Sequence, residues 1–178
     1  MAGKTLLCYQ DLASMPTDRL RRELVGGELV VSPSPATRHQ VVVGELFAAL
    51  REYAIARGGV AFVAPLDVVL TQHDVVEPDV FYVGAEQLDI VGERAIEGAP
   101  RFVIEVLSPS SRGVDAEGGA KYRLYARHGV CEYWVVDPDA RTIDAYTAPD
   151  PVAQRYRERK NAVGRMGATA LPGFEAAL

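Results

Sequence analysis

Apolar residues recur at helical spacing between Thr37 and Arg57 and predict the longest helix of the chain. Thr37 is a suitable N-cap residue, and Gly58 with Gly59 is a suitable C-terminal end. The positions that repeat every three or four residues, and therefore fall on one helix face, are Val41, Val42, Leu46, Ala49, Leu50 and Tyr53.

Two further segments have weaker helical patterns. Tyr9–Leu24 is predicted to form one helix or two short ones, broken near Pro16, with Thr17 or Asp18 capping the second piece. Asp115–His128 is predicted to form a second long helix, because Gly129 directly follows it as a C-terminal end.

Short runs of β-branched and aromatic residues predict strands. Two pairs are expected, one joined by a turn near Pro65 and one by a turn at Pro138, and the fully apolar flanks of Glu105 indicate a central strand. The predicted strands are Glu28–Ser32, Val60–Val63, Asp67–Leu70, Glu77–Val83, Arg101–Leu107, Glu132–Asp137, Thr142–Tyr146 and a short one after Arg155. These elements predict an α/β (α+β) fold with a mixed central sheet flanked by helices.

The 178 residues fit one domain spanning 1–178, since a chain of this length is short for two. The net charge of −5 does not favour nucleic-acid binding by itself, but charge can be segregated to one face. Basic residues cluster at Arg19, Arg21 and Arg22, and again at Arg155, Arg157, Arg159 and Lys160.

Cys8 and Cys131 are the only cysteines, and neither belongs to a paired motif. A disulfide framework and a structural zinc site are therefore not expected. The first residues are too mixed for a signal segment, and no apolar run reaches membrane-spanning length. A cytoplasmic location is the resulting expectation.

Two carboxylates occupy unusual positions. Glu105 lies inside an otherwise apolar strand, and Asp79 follows Pro78 where the next apolar run begins. A buried carboxylate is costly unless it is paired or binds a metal. Hard cations such as Mg²⁺ or Mn²⁺ prefer oxygen ligands, and the carbonyl of Val106 can supply one more. A nearby ammonium would then orient water and stabilise developing charge.

Several linked motifs resemble a widespread bacterial family that is assigned to the PD-(D/E)xK superfamily of restriction-endonuclease-like nucleases. The segments that carry the resemblance are Gly27–Leu29, Ser32–Pro35, the helix with His39, Pro78–Asp79, Ile104–Ser110, Lys121–Tyr125 and Gly129–Asp137. The resemblance implies metal-dependent hydrolysis of phosphodiester bonds. It also implies that Asp79 is the aspartate of the PD motif and that Glu105 is its second acid.

One residue departs from the superfamily pattern. The pattern places lysine two residues after the second acid, where this chain has Leu107. Lysine is displaced to a neighbouring helix in some members, so the resemblance implies Lys121 as its substitute. His39 matches a family histidine and can contact phosphate or water, or else bond to the backbone at the start of its helix. Lys121 has alternatives too, either as a solvated helix lysine or as the partner of Glu117 four positions earlier.

For the remaining polar and aromatic residues, the evidence for a functional role is weaker. Glu45 is either an additional ligand or a solvated residue, and Glu28 is either a peripheral acid or a turn residue. Asp115 is expected to cap its helix. We expect core positions for Tyr122, Tyr125, Tyr133 and Trp134, and surface positions for His73 and His128.

Two functions of different classes remain open. The first is a Mg²⁺- or Mn²⁺-dependent DNA endonuclease in which Asp79 and Glu105 bind the metal, Lys121 and His39 assist, and a homodimer cuts both strands. The second is a catalytically inactive member of the same fold that acts as an oligomeric binding module, which Leu107 and the acidic net charge suggest.

Overall fold

The chain contains both helices and strands. A computed structural model describes residues 5–16, 20–109 and 111–178. The helices are α1 (Tyr9–Ala13), α2 (Thr37–Arg57), α3 (Arg112–Asp115) and α4 (Ala120–Arg127), and a 3-10 helix spans Ala85–Ile90. The strands are β1 (Arg21–Val25), β2 (Glu28–Ser32), β3 (Val60–Val63), β4 (Val68–Thr71), β5 (Asp74–Val76), β6 (Val80–Val83), β7 (Phe102–Val106), β8 (Glu132–Asp137), β9 (Thr142–Asp150), β10 (Arg155–Val163), β11 (Arg165–Gly167) and β12 (Glu175–Ala177).

The central element is a six-stranded mixed sheet in the order β10-β9-β8-β7-β6-β3. Neighbouring strands in it are antiparallel except for β7 and β8, which are parallel. Parallel neighbours need a crossover connection, and α3 with α4 supplies it. The predicted mixed sheet with flanking helices is therefore confirmed, with β7 inside the sheet as expected.

The two faces of this sheet pack against different helices. Phe102, Ile104 and Val106 of β7 join the apolar cluster that contains α2. Val103 joins the cluster that contains α4, because successive strand side chains point to opposite faces. Glu105 shares the Val103 face, so its carboxylate points toward α4.

The helix predicted over Thr37–Arg57 is confirmed, and it ends at Gly58. Its N-cap is Ala36, so the prediction of Thr37 as the cap is wrong: Thr37 is the first helical residue, and no side chain caps the helix. The buried face repeats every three or four positions and consists of His39, Val42, Val43, Leu46, Leu50 and Ala54.

The N-terminal prediction is only partly right. Tyr9–Ala13 is helical, but Arg21–Val25 is a strand that pairs antiparallel with β2. Gly26 and Gly27 form the connecting turn with φ angles of 59° and 75°, which suit the two-residue turns of β-hairpins. Thr17 and Asp18, the predicted caps, lie outside the described residues.

The predicted pairing across Pro65 is also wrong. Strand β3 pairs with β6 in the central sheet, whereas β4 pairs with β5. Strand β5 was not expected, and it completes a separate four-stranded sheet in the order β2-β1-β5-β4. Side chains from β4 and β5 pack into the α4-side cluster, so burial against that layer decides the pairing.

The predicted helix over Asp115–His128 is interrupted. Helix α3 ends at Asp115, and α4 begins only at Ala120. At Gly119 an added Cβ would lie 2.3 Å from the carbonyl oxygen of Val114, so the close approach of the backbone requires glycine there. Asp115 is therefore the last residue of a short helix and not a cap, contrary to expectation.

The C-terminal part extends the sheet further than expected. The predicted hairpin partner of β8 is confirmed as β9, and the short strand expected after Arg155 is the nine-residue β10. The basic residues of β10 are exposed and partly neutralised, since Arg157 pairs with Asp150 and Arg159 with Asp144. None of the helices in the described ranges is both long and apolar enough to cross a membrane.

Candidate active site

Asp79 and Glu105 lie side by side at one end of the central sheet. Val80 of β6 pairs with Ile104 of β7, so Asp79 falls opposite Glu105, one position further along the ladder. The two residues are 3% and 1% exposed. Both line a cavity of about 440 Å³ between the central sheet, the β1–β2 hairpin and the α3–α4 crossover.

Asp79 is held by three different groups. Its Oδ2 accepts a hydrogen bond of 2.8 Å from the Val106 N–H and lies 3.2 Å from Nε2 of His39. Its Oδ1 accepts a hydrogen bond of 2.8 Å from Nη1 of Arg21. Burial opposes ionisation, but the His39 hydrogen bond and the Arg21 charge outweigh it and lower the pKa of Asp79 to about 2. Asp79 is therefore ionised at neutral pH.

Glu105 is buried on the same face of the central sheet. Its Oε1 accepts hydrogen bonds from Lys121 Nζ at 2.9 Å and from the Tyr125 hydroxyl at 2.7 Å. Burial raises the pKa of Glu105 to about 8, although Lys121 acts in the opposite direction; the charges of Asp115 and Asp79 add to the rise. The neighbouring acids thus make a second negative charge costly unless a cation compensates it.

Lys121 of α4 is 3% exposed and reaches back to the end of β7. Besides Glu105, its Nζ lies 2.8 Å from Oε1 of Glu23 and 3.8 Å from Oδ1 of Asp115. Burial works against its charge, but the pKa of Lys121 is raised because Glu105 and Glu23 favour the ammonium. A solvated lysine paired with Glu117 is therefore not what the structure shows. Leu107, in contrast, packs in the apolar cluster below.

Arg21 and Glu23 also belong to this site, although the sequence patterns did not predict them there. They are alternate residues of β1 and therefore point to the same face of the hairpin. Glu23 is 2% exposed, and its Oε1 also accepts a hydrogen bond of 2.8 Å from the Glu77 N–H. The signal that identifies them is the hairpin pattern on either side of Gly26 and Gly27; reading the segment as a helix concealed the shared face.

The other predicted residues fall both inside and outside the site. His39 lines the cavity, and Val106 contacts Asp79 through its N–H, whereas a role for its carbonyl stays a prediction. Glu28 and Glu45 are exposed and do not line this cavity. Asp115 does line it, contrary to its predicted cap role.

The predicted aromatic residues and the remaining histidines do not line the cavity. Tyr122, Tyr125, Tyr133 and Trp134 are buried, as expected for core residues. His73 is exposed, also as expected. His128 is only partly exposed and its Nε2 lies 3.8 Å from Asp74, so a free surface position was wrong for it.

Carboxyl groups outnumber cationic side chains around the cavity. Four acids line it (Glu23, Asp79, Glu105 and Asp115), against the cations Arg21 and Lys121. When all four acids are ionised, a divalent cation would balance the difference, and a donor set dominated by carboxylate oxygens is the type that Mg²⁺ and Mn²⁺ prefer. Across the described part of the chain, no three His, Cys, Asp or Glu side chains already stand at metal-ligating distances from a common point. The residues therefore fit a hard dication chemically, while Arg21 stands between its two principal acids.

Comparison with known proteins identifies the family of the chain and agrees with the fold. The family model Uma2, described as "Putative restriction endonuclease", matches residues 9–178. The chain therefore belongs to the Uma2 family, a nuclease family with the restriction-endonuclease-like fold.

A solved structure gives independent support for the fold. The crystal structure of a putative nuclease belonging to DUF820 from Anabaena variabilis is 20% identical, with a TM-score of 0.67, and the match covers 87% of this chain and 83% of that one. At this identity the likeness establishes the fold. No curated protein gives a significant match.

Proposed function

We propose that the protein is a metal-dependent endonuclease that hydrolyses phosphodiester bonds of DNA, with Asp79 and Glu105 holding Mg²⁺ or Mn²⁺. The observation that carries the proposal is the pairing of these two carboxylates on adjacent strands in one acidic cavity, close enough for the single guanidinium of Arg21 to contact both. Membership of a restriction endonuclease family, and the description of the Anabaena variabilis neighbour as a nuclease, support it.

Each residue of the site has a specific part in this proposal. A bound dication would lower the pKa of water and neutralise charge on the phosphate. The Val106 N–H fixes Asp79, and the Tyr125 hydroxyl fixes Glu105, so both acids are oriented before any ligand arrives. Lys121 stays protonated and presents a positive charge to water or to a phosphate oxygen. His39 contacts the same Oδ2 of Asp79 and helps to orient it, and the Val106 carbonyl would add an oxygen ligand.

Assembly as a homodimer is part of the proposal, because cutting both strands of a duplex calls for two active sites. Strand β2 is at one end of the four-stranded sheet and has no partner on its outer side among the described strands. Its Leu29 and Val31 are 40% and 48% exposed. An exposed apolar edge strand favours pairing with another chain. Light scattering of the protein and of a Leu29→Lys variant, at an exposed position outside the active-site cavity, tests this contact.

One observation favours the alternative of a catalytically inactive binding module. Arg21 already contacts both carboxylates and compensates part of their charge without a metal. A protein that kept the fold after losing turnover would show such an internal ion pair. The alternative therefore predicts no binding of divalent cations to the folded protein.

Calorimetric titration with Mn²⁺ separates the two functions. The wild-type protein should bind Mn²⁺, Asp79→Ala should not, and Asp89→Ala, which alters an exposed aspartate of the 3-10 helix, should bind as the wild type does. Cleavage of supercoiled plasmid should depend on the same cation and on Asp79. Absence of Mn²⁺ binding in the wild-type protein and in Arg21 variants would reject the nuclease and favour the binding module.

A further inference from the structure

Among the described residues, Arg21 is the cationic side chain that contacts both proposed metal ligands. Its Nη1 donates to Asp79 Oδ1 at 2.8 Å, and its Nη2 lies 3.7 Å from Glu105 Oε2. Lys121, by contrast, forms its ion pairs with Glu105, Glu23 and Asp115. The guanidinium thus takes the place between the two acids that a shared dication would need.

Arg21 makes few hydrogen bonds for a guanidinium whose donor atoms are buried. Only Nη1 makes a hydrogen bond with a carboxylate, while the buried Nε and Nη2 have no hydrogen-bond partner. The nearest carboxylate oxygens to Nε belong to Glu23 and Glu77, both at 3.9 Å. A guanidinium normally uses several of its five donors when it is buried, so the present arrangement leaves part of its bonding capacity unused.

Space for a second position of Arg21 exists on the other side of Asp79. Arg21 and Asp79 line both the active-site cavity and a neighbouring cavity of about 520 Å³. That second cavity contains the carboxyl groups of Asp67 and Glu77. The Oε2 of Glu77 already lies 3.9 Å from Nε of Arg21. A small movement of the guanidinium toward Glu77 would therefore form a direct ion pair with this carboxylate.

We infer that Arg21 and the divalent cation compete for the same two carboxylates, so that metal binding displaces the guanidinium from Asp79 and Glu105 toward Glu77. The inference depends on the proposed metal site. It makes Arg21 a resident cation that keeps two adjacent buried acids compatible in the metal-free protein. The apparent metal affinity of the wild-type protein is then reduced, because only the fraction of molecules in which Arg21 has left the two acids can bind the metal.

The test is calorimetric titration of Mn²⁺ into the wild type, Arg21→Gln and Arg51→Gln. Arg51 is an exposed residue of α2 that lines neither cavity, and its substitution makes the same change in net charge. We expect Arg21→Gln to bind Mn²⁺ about tenfold more tightly or better, with Arg51→Gln unchanged. Tighter binding that also appears in Arg51→Gln would reduce the effect to general charge and contradict the inference.

The outcomes distinguish this inference from the proposed function. If the wild type binds Mn²⁺ and Arg21→Gln binds equally or less tightly, competition is wrong but the metal site stands. If Arg21→Gln binds and the wild type does not, competition is supported in its strongest form. If neither folded protein binds, both the inference and the nuclease proposal fail.

A second measurement needs no variant and therefore does not depend on the folding of Arg21→Gln. Mg²⁺ is titrated into the wild-type protein while the Nε–H signals of its arginines are followed by NMR. The Arg21 signal should shift with the same midpoint as the calorimetric binding curve, and the signal of the exposed Arg51 should not. Binding of Mg²⁺ without any change in the Arg21 signal would overturn the inference.

Discussion

The ammonium of Lys121 lies 2.9 Å from Oε1 of Glu105, although 16 positions separate the two residues in the chain. The crossover from β7 to β8 brings them together, because α4 packs on the face of the sheet to which Glu105 points. The site therefore has a buried ammonium even though Leu107 occupies the position where the superfamily pattern has lysine.

Replacing this ammonium should affect stability and activity together. In Lys121→Met, Glu105 and Glu23 lose their shared cation, and leaving a buried ion pair without one partner costs about 3 to 5 kcal/mol. Urea denaturation should show that loss, and DNA cleavage should be abolished. Arg123→Met alters an exposed residue of the same helix and should change stability by less than about 0.5 kcal/mol. Equal effects of the two substitutions would contradict a special role for Lys121.

Glu105→Gln should separate metal binding from folding. The amide oxygen of glutamine can still accept the hydrogen bonds of Lys121 and Tyr125, and burial already favours an uncharged side chain at this position. The free energy of unfolding should therefore change by no more than about 1 kcal/mol, while Mn²⁺ affinity measured by calorimetry is lost. Glu45→Gln, on the exposed side of α2, should retain Mn²⁺ binding; if it does not, Glu45 is a ligand after all.

His39→Ala should lower cleavage without preventing folding. Nε2 of His39 lies 3.2 Å from Asp79, and groups that orient a metal ligand typically contribute about 10- to 100-fold to activity or affinity. Initial rates on plasmid DNA should fall by that factor. His73→Ala, which alters an exposed histidine, serves as the control. An unchanged rate in His39→Ala would leave His39 as a core residue of α2.

The charge of Asp74 should make the free energy of unfolding depend on pH in the acidic range. His128, the Gly26 N–H and the Thr71 hydroxyl lower the pKa of Asp74 to about 2, against the opposing effect of burial. A lowered pKa stabilises the folded state above the ordinary value of 3.8, and this contribution disappears as the pH falls through about 2.

The comparison of wild type with Asp74→Asn isolates that contribution. The wild type should be more stable by about 2 kcal/mol at pH 7, and the difference should shrink between pH 3.8 and about 2. Unfolding in urea at a series of pH values measures it. A difference that does not depend on pH in this range would show that the Asp74 charge contributes nothing.

Local sequence patterns were sufficient to predict secondary structure where one hydrophobic periodicity dominates a segment. Helix α2 was predicted with its observed bounds because its apolar face repeats over 21 residues and Gly58 ends it. The apolar runs of β7 and β8 likewise indicate buried strands, and the two exceptional acids Asp79 and Glu105 stand out against them. The resemblance to a nuclease family then added Lys121, which sequence spacing alone does not connect to Glu105.

Tertiary context decided the positions that were missed. Arg21–Val25 is too short to show a period clearly, and its pairing with β2 makes it a strand, which is why Arg21 and Glu23 were not predicted as site residues. Asp115 was expected to cap a helix, but the close backbone contact at Gly119 ends that helix and turns Asp115 toward Lys121. Neither effect is visible without the neighbouring elements.

The most direct test of the account is a crystal structure of the protein soaked in Mn²⁺, with anomalous diffraction used to locate the ion. The account predicts one Mn²⁺ peak that shares oxygen atoms of Asp79 and Glu105 as ligands, at metal–oxygen distances of about 2.1 Å. Absence of Mn²⁺ from this cavity in crystals of both the wild type and Arg21→Gln would contradict it.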